Sequence, residues 1–355
     1  MDKRIHYVDN LRWLTVSLLV IYHAAMAYNT WDEANYIFFE AVGPIAGIVS
    51  FISPWFMPLM FLLAGVSTFY SLKKRTFGAF LKERLLRLGI PILFGLLFIN
   101  PILSYVADVT HNGFDGNFFA HYGICFTRFT DLSGYDGGFT LGHLWFITML
   151  LVVSLIGCGV IKLLAPLAAK DKSRAMNVIG IVLAVIAVAT FEVKLLGKPL
   201  IVYIFVYLLG YYFFSSKEFV DKLSRLKWLF TPLFLICSCA NVALFIFIRD
   251  YEVLNNVCSY LSFVTGILAL ITIGHDHLDF VSNFTRFNSK ISYVFYITHF
   301  PIVVLCQYFL SLMGIGIIAN FALSVVISYP LTYLVCALIE KSRYVRVVFG
   351  LKKML

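Results

Sequence analysis

Two residues capable of chemistry lie in an otherwise apolar segment near the start of the chain. In "DNLRWLTVSLLVIYH", residues 9 to 23, Arg12 stands near the beginning and His23 at the end. On a helix the residues between them rise roughly 16 Å and return to almost the same face. A neutral imidazole is the commonest general base, and a guanidinium suits phosphates. The spacing predicts a base near the centre of a membrane, above a charged pair at the cytoplasmic edge. A histidine that only hydrogen-bonds a neighbouring helix is the alternative.

Asp9 lies near the same face but cannot orient the imidazole. The helical rise separates Asp9 from His23 by roughly 21 Å. We therefore expect its carboxylate to pair with Arg12, or with Lys3 or Arg4.

A second pair of cations has helical spacing. In "FLKERLLRLGIP", residues 80 to 91, Arg84 and Arg87 are three positions apart and share a helix face. Two guanidinium forks on one face suit phosphate oxygens. A helix end that only carries positive charge towards the cytoplasm explains them equally well.

Two further candidates lie nearer the opposite side. His299, in "SYVFYITHFPIV", is predicted at a depth similar to that of His23, so the two imidazoles can share one cavity. Asp108 opens a long segment, residues 108 to 142, that mixes carboxylates, histidines and aromatic side chains. Such loops are often functional, and flat aromatic faces with carboxylates can hold sugars. Core packing for His299 and a lid for the loop are the alternatives.

The elements that must position these residues are membrane helices. The chain is 61% hydrophobic and 13% charged, whereas soluble domains carry roughly 25% charged residues. A span needs about 20 apolar residues. We predict an all-α, polytopic membrane bundle that forms one domain over residues 1–355, with ten spans at 11–30, 42–72, 86–107, 143–166, 176–196, 199–216, 228–249, 254–274, 290–313 and 315–339. Pro54 and Pro58 predict a break in the second span.

The charge distribution gives the orientation. With a cytoplasmic N-terminus, all but four of the 28 Lys and Arg residues fall on the cytoplasmic side, the exceptions being Arg128, Lys194, Lys198 and Arg249. This bias predicts that both termini are cytoplasmic. It also explains the net charge of +9 without nucleic acid, for which no binding motif is present. The seven cysteines lack metal-site spacing. The histidines of "GHDHLDF", residues 274 to 280, could suggest a metal, but a solvated cytoplasmic linker is the favoured interpretation, so we predict no metal and no permanently bound cofactor.

The motifs together resemble those of the acyltransferase 3 family of membrane acyltransferases. Arg12 and His23 match its Arg-x10-His element, and "RLLR", residues 84 to 87, matches its Arg-x-x-Arg element. "MFLLAG", "GHLWFITML" and "YVFYITHFPI" are similar to later elements, although Ala64 stands where Ser is more usual. "RLGIP" and "GHLWF" favour the glucan-modifying succinyltransferase-like branch. The "GHLWF" element adds His143 and Trp145 to the candidate acceptor residues.

The resemblance implies transfer of an acetyl or succinyl group from cytoplasmic acyl-coenzyme A to a hydroxyl of a glycan, a lipid-linked saccharide or another envelope acceptor. Arg12, Arg84 and Arg87 would bind the donor, His23 would act as general base or transient acyl carrier, and His299, Asp108, His143 and Trp145 would line the acceptor side. A multi-pass protein of the bacterial cytoplasmic membrane follows. The alternative function is a transporter or flippase, which also uses broken helices and midplane polar groups. The oligomeric state is not indicated.

Overall fold

The computed structural model describes residues 5–170 and 193–351, together with Gly180 and Val182. Within these residues the chain is helical apart from loops and one short hairpin. The helices are α1 His6–Ser17, α2 Leu19–Met26, α3 Gly43–Ile52, α4 Phe56–Leu72, α5 Phe77–Phe94, α6 Asn100–Asn112, α7 Phe118–Cys125, α8 Trp145–Lys170, α9 Leu200–Leu209, α10 Lys217–Ser224, α11 Lys227–Val242, α12 Glu252–His277, α13 Asn283–Leu312, α14 Ile317–Lys341 and α15 Val345–Val348.

Shorter segments join several of these helices. Wide π-helical turns at Gly95–Ile99, Gly210–Phe214 and Ala243–Ile248 continue α5, α9 and α11, and a 3-10 turn at Gly142–Leu144 leads into α8. Strands β1 Lys194–Leu195 and β2 Lys198–Pro199 pair antiparallel around a turn at Gly197, whose φ is +70°.

Membrane-spanning helices account for most of the described chain. Seven are long and apolar enough to cross a membrane, and an eighth results if Leu200–Phe214 and Lys217–Ser224, bent by 95°, form one span. A multi-pass helical bundle is therefore confirmed. The count of ten and the side on which the termini lie remain predictions. The predicted fifth span, 176–196, lies largely outside the described residues, and the predicted first span is divided between α1 and α2.

The predicted break in the second span is present. Helix α3 ends at Ile52 and α4 begins at Phe56, with Pro54 between them. Proline has no N–H to donate to the preceding turn, so the helical ladder is interrupted there. The indole N–H of Trp55 donates to the carbonyl oxygen of Phe51 at 2.8 Å and replaces part of the lost bonding. The break lies beside the candidate site, where the side chain of Ser53 reaches a cavity.

Helix α13 is the central element around which the candidate residues are arranged. It packs against α14, α1 and α2. A capping box between Ser282 and Thr285 fixes its N-terminus. Most of its middle turns are buried, including His299, and Pro301 follows two residues later. The turn of α13 that contains His299 and Pro301 therefore lies in the buried centre of the bundle.

Candidate active site

A large cavity, here called the aromatic cavity, opens at the end of the bundle formed by the C-terminal end of α2 and the loop after α7. Its volume is about 710 Å³. His23 lines it, together with His143 and Trp145. The other lining side chains are mainly aromatic or polar: Tyr22, Glu33, Asn35, Tyr36, Ser53, Phe56, Asp131, Ser133, Tyr135, Lys198, Tyr203, Tyr296 and Phe300. The cavity therefore combines flat apolar faces with hydrogen-bonding groups, which suits a polyhydroxylated molecule.

Two histidines, His23 and His143, line the aromatic cavity, and the buried ring of His299 lies next to both. The ring centroids of His23 and His299 are 5.3 Å apart, and those of His299 and His143 are 5.4 Å apart. Phe300 stacks on His23 with a centroid separation of 3.9 Å. His23 is half-buried, whereas His143 and His299 are buried. The structure thus brings together three candidates from distant parts of the chain.

The protonation of His143 is fixed by a proline. Pro301 cannot donate to the carbonyl oxygen of Ile297, four residues before it in α13. The Nε2 atom of His143 lies 2.8 Å from that oxygen. A carbonyl accepts only, so Nε2 must carry the hydrogen, and Nδ1 of the neutral ring keeps its lone pair.

His299 is fixed in the opposite tautomer. Its Nδ1 lies 2.7 Å from the carbonyl oxygen of Tyr296 and donates to it, which leaves the lone pair on Nε2. Among the described residues, Nε2 of His299 and Nδ1 of His143 have no hydrogen-bond partner. Buried polar atoms are rarely left unpaired. Both nitrogens are buried and keep their lone pairs close to the ring of His23.

A second cavity, here called the arginine cavity, lies on the other side of Tyr296. Its volume is about 220 Å³, and Arg12, Arg84 and Arg87 all line it. Arg12 donates from Nη1 to Asp9 Oδ1 at 2.9 Å, the predicted pair, and from Nη2 to Ser67 Oγ at 2.8 Å. The arginines of the two sequence motifs therefore face one space.

Arg84 is held by a chain of hydroxyl groups. Its Nη2 donates to Thr68 Oγ1 at 3.3 Å, and the Tyr207 hydroxyl donates to the same oxygen at 2.7 Å. The buried hydroxyl of Tyr293 also lines this cavity and has no partner among the described residues. Several cations and an unused hydroxyl group around a small space indicate an anionic or strongly polar ligand.

Tyr296 separates the two cavities. Its side chain lines both, and its hydroxyl donates to the backbone carbonyl of His143. A molecule that spans both cavities must pass this side chain. The arrangement places the three arginines and His23 on opposite sides of one aromatic partition.

The loop after α7 forms one wall of the aromatic cavity. The Tyr36 hydroxyl donates to the carbonyl oxygen of Ser133 at 2.8 Å and lies 2.6 Å from Thr140 Oγ1, so the loop is tied to the bundle. The hydroxyl and backbone N–H of Ser133 both donate to Asp131 Oδ1, at 2.6 and 2.9 Å. These bonds lower the pKa of Asp131 and keep its carboxylate ionised at the cavity mouth.

Asp108 lies apart from the three histidines. It is buried near the end of α6, where its Oδ1 accepts from Arg128 at 3.0 Å and its Oδ2 lies 3.2 Å from His121 Nε2. A Cβ on Gly137 would come within 2.5 Å of Asp108 Oδ1, so loop and helix are closely packed. The structure thus places Asp108 beneath the loop, where it anchors the cavity wall.

The stability of this loop should depend on pH through His121. Burial lowers the pKa of His121, although the carboxylate of Asp108 opposes the shift. An unfolded histidine has a pKa of about 6.5 and binds a proton first as the pH falls. The unfolded segment therefore binds more protons, and the stability of the folded loop is lost progressively below about pH 6.5.

Hydrogen exchange of residues 113–141 measures this effect. The protection factors of these amides, which correct for slower chemical exchange at lower pH, should fall in wild type between pH 7 and pH 5. In His121→Asn that fall should be smaller, because the titrating ring is absent. Equal pH dependence in both proteins would contradict the assignment to His121.

Sequence reasoning found the ionisable residues of the site but missed its polar supports. Thr68, Ser67, Tyr207 and Tyr296 lie within ordinary apolar helices, and nothing in their spacing distinguishes them. Arg12, Arg84 and Arg87 could be recognised in the sequence because charged residues are rare in apolar segments. Within the described residues, no group of three His, Cys, Asp or Glu side chains is arranged to hold a metal ion.

Comparison with known proteins gives the class. The described chain is a multi-pass helical bundle with arginine side chains on one side of Tyr296 and a histidine on the other. The family model described as an acyltransferase domain matches residues 5–341. The chain belongs to this family, acyltransferase 3, and is a membrane acyltransferase. No curated protein and no solved structure shows a significant match.

Proposed function

We propose that the protein transfers a short acyl group, acetyl or succinyl, from acyl-coenzyme A to a hydroxyl group of a glycan or a related envelope saccharide. The observation that carries the proposal is the position of Tyr296 between the arginine cavity and the aromatic cavity. A donor with phosphates at one end and a thioester at the other fits the first cavity. An acceptor with several hydroxyl groups fits the second.

Arg12, Arg84 and Arg87 bind the donor in this proposal. Arg12 and Arg84 are pre-oriented by Ser67 and Thr68, so little side-chain entropy remains to be lost when an anion binds. Arg87 is exposed and free to follow the ligand. The pantetheine arm then leads past Tyr296 towards His23.

His23 acts as the general base. The acceptor oxygen attacks the thioester carbonyl carbon while His23 takes the proton from the hydroxyl group. The tetrahedral intermediate then collapses, the carbon–sulfur bond breaks, and the thiolate leaves and takes up a proton as the ester forms. His299 and His143, with free lone pairs on buried Nε2 and Nδ1, accept hydrogen bonds from the His23 ring as it takes up the proton. An acyl group carried on His23 itself is a second route through the same atoms.

The acceptor is recognised by the wall opposite the base. Trp145 and Tyr203 are approximately parallel, with centroids 6.3 Å apart, and Lys198 Nζ lies 5.2 Å from the Trp145 ring centroid. Sugar rings pack on such aromatic faces. Asp131 and Glu33 at the mouth accept hydrogen bonds from hydroxyl groups. Family membership supports this enzyme over a transporter or flippase.

Removal of either motif arginine should weaken donor binding. We expect Arg84→Gln and Arg87→Gln each to raise the Kd for acetyl-coenzyme A by about 10-fold to 100-fold, since a hydrogen bond to a charged group contributes about 1.5–3 kcal/mol. Isothermal titration calorimetry of purified protein in nanodiscs measures this, and transfer of radiolabelled acetyl groups to a glycan acceptor measures the activity. Lys74→Gln, which removes an exposed cation at the same end of the bundle, is the matched control. Unchanged affinity in both arginine variants would remove them from the donor site.

A further inference from the structure

A third cavity, here called the terminal groove, adjoins the arginine cavity and is formed by the ends of α1, α5, α13 and α15. Its volume is about 1380 Å³. The two spaces are continuous, because Glu83, Arg87, Ser289 and Lys290 line both. The groove also exposes apolar side chains, among them Leu86, Ile90 and Val347. The groove is therefore large enough, and apolar enough in part, to hold a flat aromatic group.

The charge of the terminal groove is strongly positive. Its cations are Lys82, Arg87, Arg286, Lys290 and Arg346. Its two carboxylates, Asp9 and Glu83, are each paired with an arginine of the arginine cavity, Arg12 and Arg75. Lys290 and Arg346 share Glu340, at 2.5 and 3.8 Å. Within the described residues, Lys82, Arg87 and Arg286 have no ion-pair partner.

Arg346 is a buried cation of the terminal groove with one unpaired donor. The residue is 7% exposed, and its Nε has no hydrogen-bond partner among the described residues. A buried guanidinium that keeps only a distant carboxylate is costly unless an anion completes it. The turn that carries Arg346 is fixed, because Leu351 N donates to its carbonyl oxygen at 2.9 Å and Gly350 adopts a φ of +72°. A Cβ on Gly350 would lie 2.9 Å from the carbonyl oxygen of Arg87, so this turn packs directly on α5.

We propose that the terminal groove binds the nucleotide end of the donor and that Arg286 and Arg346 bind its ribose 3′-phosphate. This inference rests on the proposed function. The thioester must point towards His23, so the pantetheine arm leads from the arginine cavity past Tyr296 and the nucleotide lies in the terminal groove on the other side. Arg87 and Lys290, which line both spaces, meet the diphosphate. Arg286 and Arg346 line the groove alone and meet the phosphate farthest from the thioester.

Binding of coenzyme A and 3′-dephospho-coenzyme A to the purified protein in neutral-lipid nanodiscs tests the proposal. Wild type should bind coenzyme A at least 10-fold more tightly. In Arg286→Gln and Arg346→Gln the affinity for coenzyme A should fall to that for 3′-dephospho-coenzyme A, which itself should not change. Arg343→Gln, an exposed arginine beside α15, should behave as wild type. Arg286 is exposed, so its variant keeps the test valid if the buried Arg346 is needed for folding.

Three results would overturn the proposal. Equal affinity of wild type for the two ligands excludes a 3′-phosphate site while leaving the donor assignment intact. If the variants bind both ligands more weakly by the same factor, the arginines contact another part of the nucleotide. If the variants bind coenzyme A as tightly as wild type but lose co-purifying anionic lipid in native mass spectrometry, the groove is a lipid site. If wild type binds neither ligand, the proposed function itself fails at the donor.

Discussion

Substitution of His23 by alanine should reduce acyl transfer by roughly 100-fold to 10,000-fold, the range that a general base contributes. The neighbouring rings cannot replace it, because the free nitrogens of His299 and His143 are both buried. Donor affinity should stay within about threefold of wild type, because the arginine cavity lies beyond Tyr296.

The measurement is the rate of acyl ester formation on a glycan acceptor, followed by mass spectrometry at equal protein level. His277→Ala is the matched control, because this histidine is exposed at the end of α12. His23→Gln tests the same role with a polar side chain that cannot take up a proton, and it should be as inactive as alanine. Full transfer by the alanine variant would show that His23 is not the base.

Substitution of Gly65 by alanine should prevent stable folding of the bundle. A Cβ at Gly65 would lie 1.9 Å from the carbonyl oxygen of Tyr207, and a Cβ at Gly210 would lie 2.1 Å from that of Leu62. Both contacts are with backbone carbonyl oxygens, which cannot rotate away as a side chain could. The two helices must therefore move apart to make room for the added methyl group. Small residues allow such close approach of helices in a membrane. Overpacking usually costs about 1–3 kcal/mol, and we expect the upper end or more here.

Fluorescence-detected gel filtration after heating reports the loss. Gly65→Ala and Gly210→Ala should each lower the melting temperature strongly or yield no monodisperse protein. Gly159→Ala is the control, since it is a helical glycine with nothing within 4 Å of its Cβ position, and alanine there should be neutral or stabilising. A Gly65→Ala protein as stable as Gly159→Ala would contradict the close packing.

The Gly65 contact also connects stability to the site. The approach of α4 to α9 brings the Tyr207 hydroxyl onto Thr68, which in turn holds Arg84. A folded variant with a wider separation should therefore bind the donor more weakly than wild type. Calorimetry on any monodisperse Gly210→Ala protein checks this expectation against Gly159→Ala.

The sequence by itself determined that the chain lies in a membrane, that it is helical, and which residues carry charge into apolar segments. These conclusions need only local information, because a span must be apolar along its length and a charge within it is conspicuous. The break at Pro54 and the pair between Asp9 and Arg12 were predictable for the same reason. Asp108 was read as a cavity residue from its place beside the loop, yet it lies in the network beneath that loop.

Only the tertiary structure decided which residues meet. His23, His143 and His299 come from three segments far apart in the chain, and their convergence depends on how α2, α8 and α13 pack. The free nitrogens of His143 and His299 depend on backbone carbonyls, one of them released by Pro301. Tyr296 as partition and Arg346 as a groove residue carry no signal in the sequence, because tyrosine in a helix and arginine near a basic end are ordinary until their neighbours are known.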